Sequence, residues 1–153
     1  MFKKIITILI FLFITSGCGF EPLYSNKNNK NFSIEKINFI GDGDRTLNNH
    51  LRRNLNNYRK TELNNKIFLD VESIYTKKVL SKNSTATINE YELIAKVTFT
   101  IKPNNKKLIF TQKRIMKNMD NNSDERDSEL AIKQTFANII TNELIQGLMT
   151  TFK

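Results

Sequence analysis

The pattern of hydrophobic and polar positions changes period several times along the chain. Residues 5–14 (IITILIFLFI) are apolar except for Thr7. Residues 19–31 (GFEPLYSNKNNKN) lose that character, and Pro22 with a Ser/Asn/Lys cluster argues against regular structure. Residues 32–40 (FSIEKINFI) mix β-branched and aromatic residues in partial alternation, which predicts a strand. Gly41, Asp42 and Gly43 break it, and Asp44 suits the N-cap of a helix. In that helix Leu47, Leu51, Leu55 and Tyr58 recur at helical spacing and form one apolar stripe. Asn64 and Asn65 are expected to end the segment.

Period two then takes over. Ile67, Leu69, Val71, Ser73 and Tyr75 alternate with Phe68, Asp70, Glu72 and Ile74, predicting a strand to about Lys78. Residues 81–85 (SKNST) read as a polar turn. Tyr91, Leu93, Ala95, Val97, Phe99 and Ile101 form the cleanest alternation in the chain. Pro103, Asn104 and Asn105 make a turn before a fourth strand over residues 108–115. Ser123 is the expected cap of a long helix reaching roughly Met149, with Leu130, Phe136, Ile140, Leu144 and Leu148 on one side.

The expected fold is an α+β two-layer sandwich in the order β-α-β-β-β-α: a four-stranded mixed sheet with both helices on one face. Strands one and two are joined through the first helix, hence parallel with a right-handed crossover. Short turns make strands two, three and four an antiparallel meander. The other sheet face is left exposed or binds something.

Composition narrows the chemistry. The chain has 153 residues, 39% hydrophobic and 25% charged, as expected of one folded domain. One Cys excludes an intramolecular disulfide, and one Cys with one His excludes a multi-ligand Cys/His metal site. A nucleophilic triad would depend on His50 alone, and His50 lies off the apolar stripe as a surface residue. Asp124, Glu125, Asp127 and Glu129 resemble a metal cluster in composition. Their place in the first turns of a helix makes dipole compensation the better account. The expectation is a protein that is not an enzyme and needs no cofactor or metal.

The N-terminus carries the sharpest signal. Lys3 and Lys4 precede the apolar run, and Thr15, Ser16 and Gly17 precede the sole cysteine, Cys18. A basic start, a short apolar stretch and small residues describe an export signal. The run is too short to span a bilayer, which takes roughly 20 residues. Small residues directly before Cys resemble the bacterial lipobox, with Thr15 where Leu is commonest. This predicts a signal peptide over residues 1–17, a lipid anchor on Cys18, a tether over 18–31 and one domain over 32–153. Gly19, rather than Asp, after the Cys favours the outer membrane, with the anchor facing the periplasm.

The formal charge is +9. Export argues against nucleic acid as the partner, and no Gly-rich phosphate loop is present. The anionic partners available to an exported bacterial lipoprotein are membrane lipids, above all lipopolysaccharide. The strand directions bring the end of strand one, the strand two–three turn and the end of strand four to one edge. Lys77, Lys78, Lys82, Arg114 and Lys117 are expected there as a cationic rim for phosphates.

Particular residues carry a family resemblance. Cys18-Gly19-Phe20-Glu21-Pro22-Leu23-Tyr24 resembles the CGFxPLY opening of the LptE family of lipopolysaccharide-assembly lipoproteins, in its alphaproteobacterial form. The strand over residues 34–40, Asp44-Arg45 and the helix at Leu51-Arg52-Arg53-Asn54-Leu55 are similar to that family's first strand–helix unit. Tyr91-Glu92-Leu93 is similar to the start of its third strand, and Ser123-Asp124-Glu125-Arg126-Asp127 to the start of its last helix. The resemblance implies two helices on a four-stranded sheet and no enzymatic activity. It implies a plug inside the outer-membrane β-barrel LptD, and binding of lipopolysaccharide through basic loop residues, here matched by Lys82 and Lys117. The alternative is a stand-alone periplasmic lipoprotein, a binding or scaffold module with no barrel partner.

Overall fold

The computed structural model describes residues 32–59 and 65–151. Cys18, the signal segment and the tether lie outside the described residues. The elements are β1 (Phe32–Ile40), α1 (Arg45–Asn56), β2 (Asn65–Lys82), β3 (Ile88–Lys102), β4 (Lys106–Lys117) and α2 (Asn122–Thr151). The strands form one sheet in the order β1-β2-β3-β4. β1 and β2 are parallel, and the other two pairs are antiparallel. This is the predicted α+β order.

The partial alternation of β1 has a structural cause. The register shifts between Ile34 and Lys36, so a bulge sits at Glu35. A bulge adds one residue and flips the phase of the rest of the strand. Phe32 and Ile34 are therefore buried before it, whereas Ile37 and Phe39 pack against the core after it. The bulge also frees a carbonyl, and Arg59 donates to Glu35 O at 3.1 Å.

Asp44 starts α1 as expected: its Oδ1 accepts the Leu47 amide at 2.8 Å. Leu47, Leu51 and Leu55 are fully buried. Each such side chain contributes about 1.5–3 kcal/mol by leaving water. α1 ends at Asn56, ahead of the expected Asn64, with the backbone amide of Asn57 capping it by donating to the Asn54 and Leu55 carbonyls. Tyr58 comes next in a turn, and its carbonyl accepts the Ile34 amide at 3.3 Å.

Antiparallel partners share a face of the sheet. Leu69, Ile101 and Val71, Phe99 pair across β2 and β3, and Phe99 pairs with Leu108 on β4. This face and both helices contribute to a single core. Phe99 and Phe110 meet edge to face, centroids 6.0 Å apart. α2 has 30 residues, four more than the span from Asp124 to Met149, and buries Ile132, Phe136, Ile140, Leu144 and Leu148. Its cap is Asn121 rather than the expected Ser123. Asn121 Oδ1 accepts the Ser123 amide at 2.9 Å, and its carbonyl accepts the Glu125 amide at 3.1 Å. Asn and Ser compete equally for that role, and the polar run before the helix contains both.

The strand ends differ from expectation in one respect. Ile40 pairs with Glu72, whereas β2 continues to Lys82. The end of β1 therefore stops ten residues short of the edge where β2 and β4 finish.

Candidate functional site

The edge that gathers the candidate cations is formed by the end of β2, the start of β3 and the end of β4. The connecting loop is closed by Asn83. Its side chain accepts from the Thr85 and Thr87 amides at 3.0 and 2.9 Å, and its amide donates to the Thr87 carbonyl at 2.8 Å. Ala86 within the loop has φ of 62°, in the left-handed region.

The five predicted residues separate by face. Lys77 and Arg114 are both in register with Leu93, so they share the helix-side face. Lys78 is in register with Glu92, and Lys117 with Glu90, on the open face. Lys82 ends β2 opposite Ile88. Lys78, Lys82, Arg114 and Lys117 are exposed and make no ion pair among the described residues. They reach the same end of the sheet from both faces.

Lys77 is engaged instead. Its ammonium lies 2.7 Å from Glu125 and 3.0 Å from Glu129 on α2, and 4.3 Å from the Tyr91 ring centroid. Burial alone would lower its pKa, but hydrogen bonds to both carboxylates outweigh that and raise it. The pairing continues inward. Glu129 accepts from Lys133 at 3.0 Å, and Lys133 donates to Asp44 at 2.8 Å while lying 4.1 Å from the Tyr75 ring centroid. Burial would raise the Glu129 pKa, yet Lys133 and Lys77 hold it below the ordinary carboxylate range. The Tyr75 hydroxyl is buried beside Glu129; burial first, then that charge, push its pKa up and keep it protonated.

Sequence reading missed this ladder, although one signal was available. Ile67, Leu69, Val71, Ser73 and Tyr75 face the helices, and the same period carries on to Lys77. Reading also missed that Glu90 and Glu92 interleave with the open-face cations, and that the β4 edge is basic along its length. β4 holds Lys106, Lys107, Lys113, Arg114 and Lys117 and no acidic residue.

Two other expectations concern acids and His50. Glu125 and Glu129 serve Lys77 and Lys133, while Asp124 and Asp127 are exposed in the first turns of α2. Among the described residues no group of three or more His, Cys, Asp or Glu could hold a metal ion. His50 Nδ1 lies 3.1 Å from Arg53 Nη2. Partial burial, then the Arg53 charge, lower the imidazole pKa, so it is neutral at pH 7. No described helix is long and apolar enough to cross a membrane.

The family model LptE, lipopolysaccharide-assembly, matches residues 30–149. Among solved structures, a minor lipoprotein from Acinetobacter baumannii is 16% identical, with a TM-score of 0.51, and the match covers 74% of this chain and 94% of that one. The rare lipoprotein B from Shewanella oneidensis is 20% identical, with a TM-score of 0.49, over 78% of this chain and 94% of that one. The Acinetobacter likeness is one of fold. No curated protein matches the sequence.

Proposed function

The chain belongs to the LptE family of lipopolysaccharide-assembly proteins, and on that premise we propose that it is an outer-membrane lipoprotein of the lipopolysaccharide translocon. It is anchored through acylated Cys18, plugs an LptD-like β-barrel and offers its cationic edge to the phosphates of lipopolysaccharide in transit. No covalent step is required. Lys and Arg donors replace part of the phosphate's water and counterions, which loosens lipid–lipid packing.

The observation that carries the phosphate reading is the state of the side chains at one end of the sheet. Lys78, Lys82, Arg114 and Lys117 are exposed and have no carboxylate partner within ion-pair distance among the described residues. Lys113 on the β4 edge extends the strip. Lys77 is left out of this set, because its ammonium is already paired with Glu125 and Glu129.

Charge reversal tests the site. Lys78, Lys82, Arg114 and Lys117 replaced together by Glu should lower lipopolysaccharide affinity about tenfold or more, with the fold retained. Equal affinity of the variant and the parent, or equal binding of dephosphorylated lipid, would remove this edge from the mechanism. Co-purification from the outer membrane in mild detergent, with a C-terminal tag, tests the plug. A stoichiometric partner of large barrel size is expected; recovery of the lipoprotein alone would favour a stand-alone module.

A further inference from the structure

β2 outruns β1. Past Glu72, residues 73–82 have no strand partner on the side where β1 lies, among the described residues. The Gly43 backbone lies against Ser73, so the first of these positions is covered. From Ile74 no described strand pairs with this edge. Pairing with β3 is regular from Ile74, opposite Lys96, to Val79, opposite Tyr91, and the register breaks after Val79. Six residues, about 20 Å of strand, therefore present outward backbone N–H and C=O groups at alternate positions. The first turns of α2 reach the inner face of this stretch through Glu125 and Glu129 on Lys77.

The side chains around this edge suit a strand from elsewhere. Ile74 is 53% exposed and Leu80 47%. Lys78 and Lys82 are exposed, and residues 73–82 contain no acid. A second copy of the chain would meet this edge with the same lysines. The β4 edge would meet it with five cations and no acid. Like charges directly opposite destabilise a strand pair, so the chain's own edges repel one another here.

We propose that residues 74–79 accept an added strand from a partner protein, an extended segment alternating apolar residues with acidic ones. Main-chain hydrogen bonds would continue the sheet along the line of β1. At alternate positions the segment's acids would line the open face beside Lys78, and its apolar side chains the helix-side face beside Val79, which is 47% exposed. This goes beyond the phosphate-binding reading and does not depend on it.

Amide hydrogen exchange on the full mature chain tests the proposal. The probe is a synthetic eight-residue peptide alternating valine with glutamate and threonine. Alternate amides within residues 74–79 should slow by about tenfold or more with peptide present, while those of β4 stay unchanged. A version with lysine in place of glutamate, and one N-methylated along one edge, should give no protection. Lys78→Glu should shift preference from the acidic to the basic peptide. Protection at β4, equal protection by acidic and basic peptides, self-association through residues 74–79, or no protection at millimolar peptide would each overturn the proposal.

Discussion

The Lys133 ammonium donates to the Asp44 carboxylate at 2.8 Å, joining residues 89 positions apart. The other Asp44 oxygen caps α1 through the Leu47 amide. One carboxylate thus sets the start of α1 and fixes α2 against it. Lys133→Met leaves Asp44 and Glu129 without their shared cation. The expected loss is about 3 kcal/mol in urea unfolding, the low end for breaking a buried pair. Asp44→Asn keeps a capping acceptor and should cost about 1 kcal/mol less than Asp44→Ala.

Lys77 and Lys78 are neighbours with opposite roles. Lys77→Met removes the partner of two carboxylates whose side chains are mostly buried, and should destabilise by about 2 kcal/mol. Its lipopolysaccharide affinity should stay at the parent value. Lys78→Met should leave the unfolding midpoint nearly unchanged. Paired urea titrations and lipid-binding curves check both; a lipid defect confined to Lys77→Met would contradict the assignment.

The depressed pKa of Glu129 makes stability depend on acid. A carboxyl held lower in the folded than in the unfolded state contributes stability above its unfolded value, near 4.5, and loses it as pH falls through the folded value. Lys77 and Lys133 have the opposite sign. Their raised values contribute fully below about 10.5 and are lost as pH rises through the folded values. Urea midpoints should therefore fall below pH 4.5 and above pH 10.5. Glu129→Gln should flatten the acid limb, and an unchanged limb would assign it to other carboxylates.

Gly43 meets Ser73 where the chain enters α1. A Cβ there would collide with the Ser73 side chain and lie 2.6 Å from its carbonyl oxygen. Gly43→Ala should cost about 1–3 kcal/mol. Adding Ser73→Ala should not rescue it, because the carbonyl remains. Thermal unfolding of the single and double variants measures this directly.

Ala86 holds a left-handed conformation that glycine adopts without steric penalty. Ala86→Gly should raise stability by up to about 1 kcal/mol, the relieved strain exceeding the added unfolded-state entropy. A drop in the melting temperature would show that the loop hydrogen bonds around Asn83 need the alanine.

Much of the fold was legible because its causes are local. Period two marked β2, β3 and β4, and period four marked Leu47, Leu51 and Leu55, since a residue's face is set by its position along one element. The Asp44 cap needs only the amide three residues ahead. The helix ends were less legible: Asn121, Asn122 and Ser123 offer similar caps, and only packing decides among them.

The candidate site was legible in residue type and not in pairing. Sequence by itself determined the order of elements, the basic character of the edge and the place of Cys18 after its apolar run. Tertiary structure decided which cations remain available. Lys77 and Lys78 differ only in which face of β2 they take, and α2 brings Glu125 and Glu129 to one face alone, 48 and 52 residues away in sequence. It also decided how far β2 runs past β1, because strand length depends on what pairs alongside. Periodicity encodes a side chain's direction; the group that meets it there comes from another part of the chain, through packing.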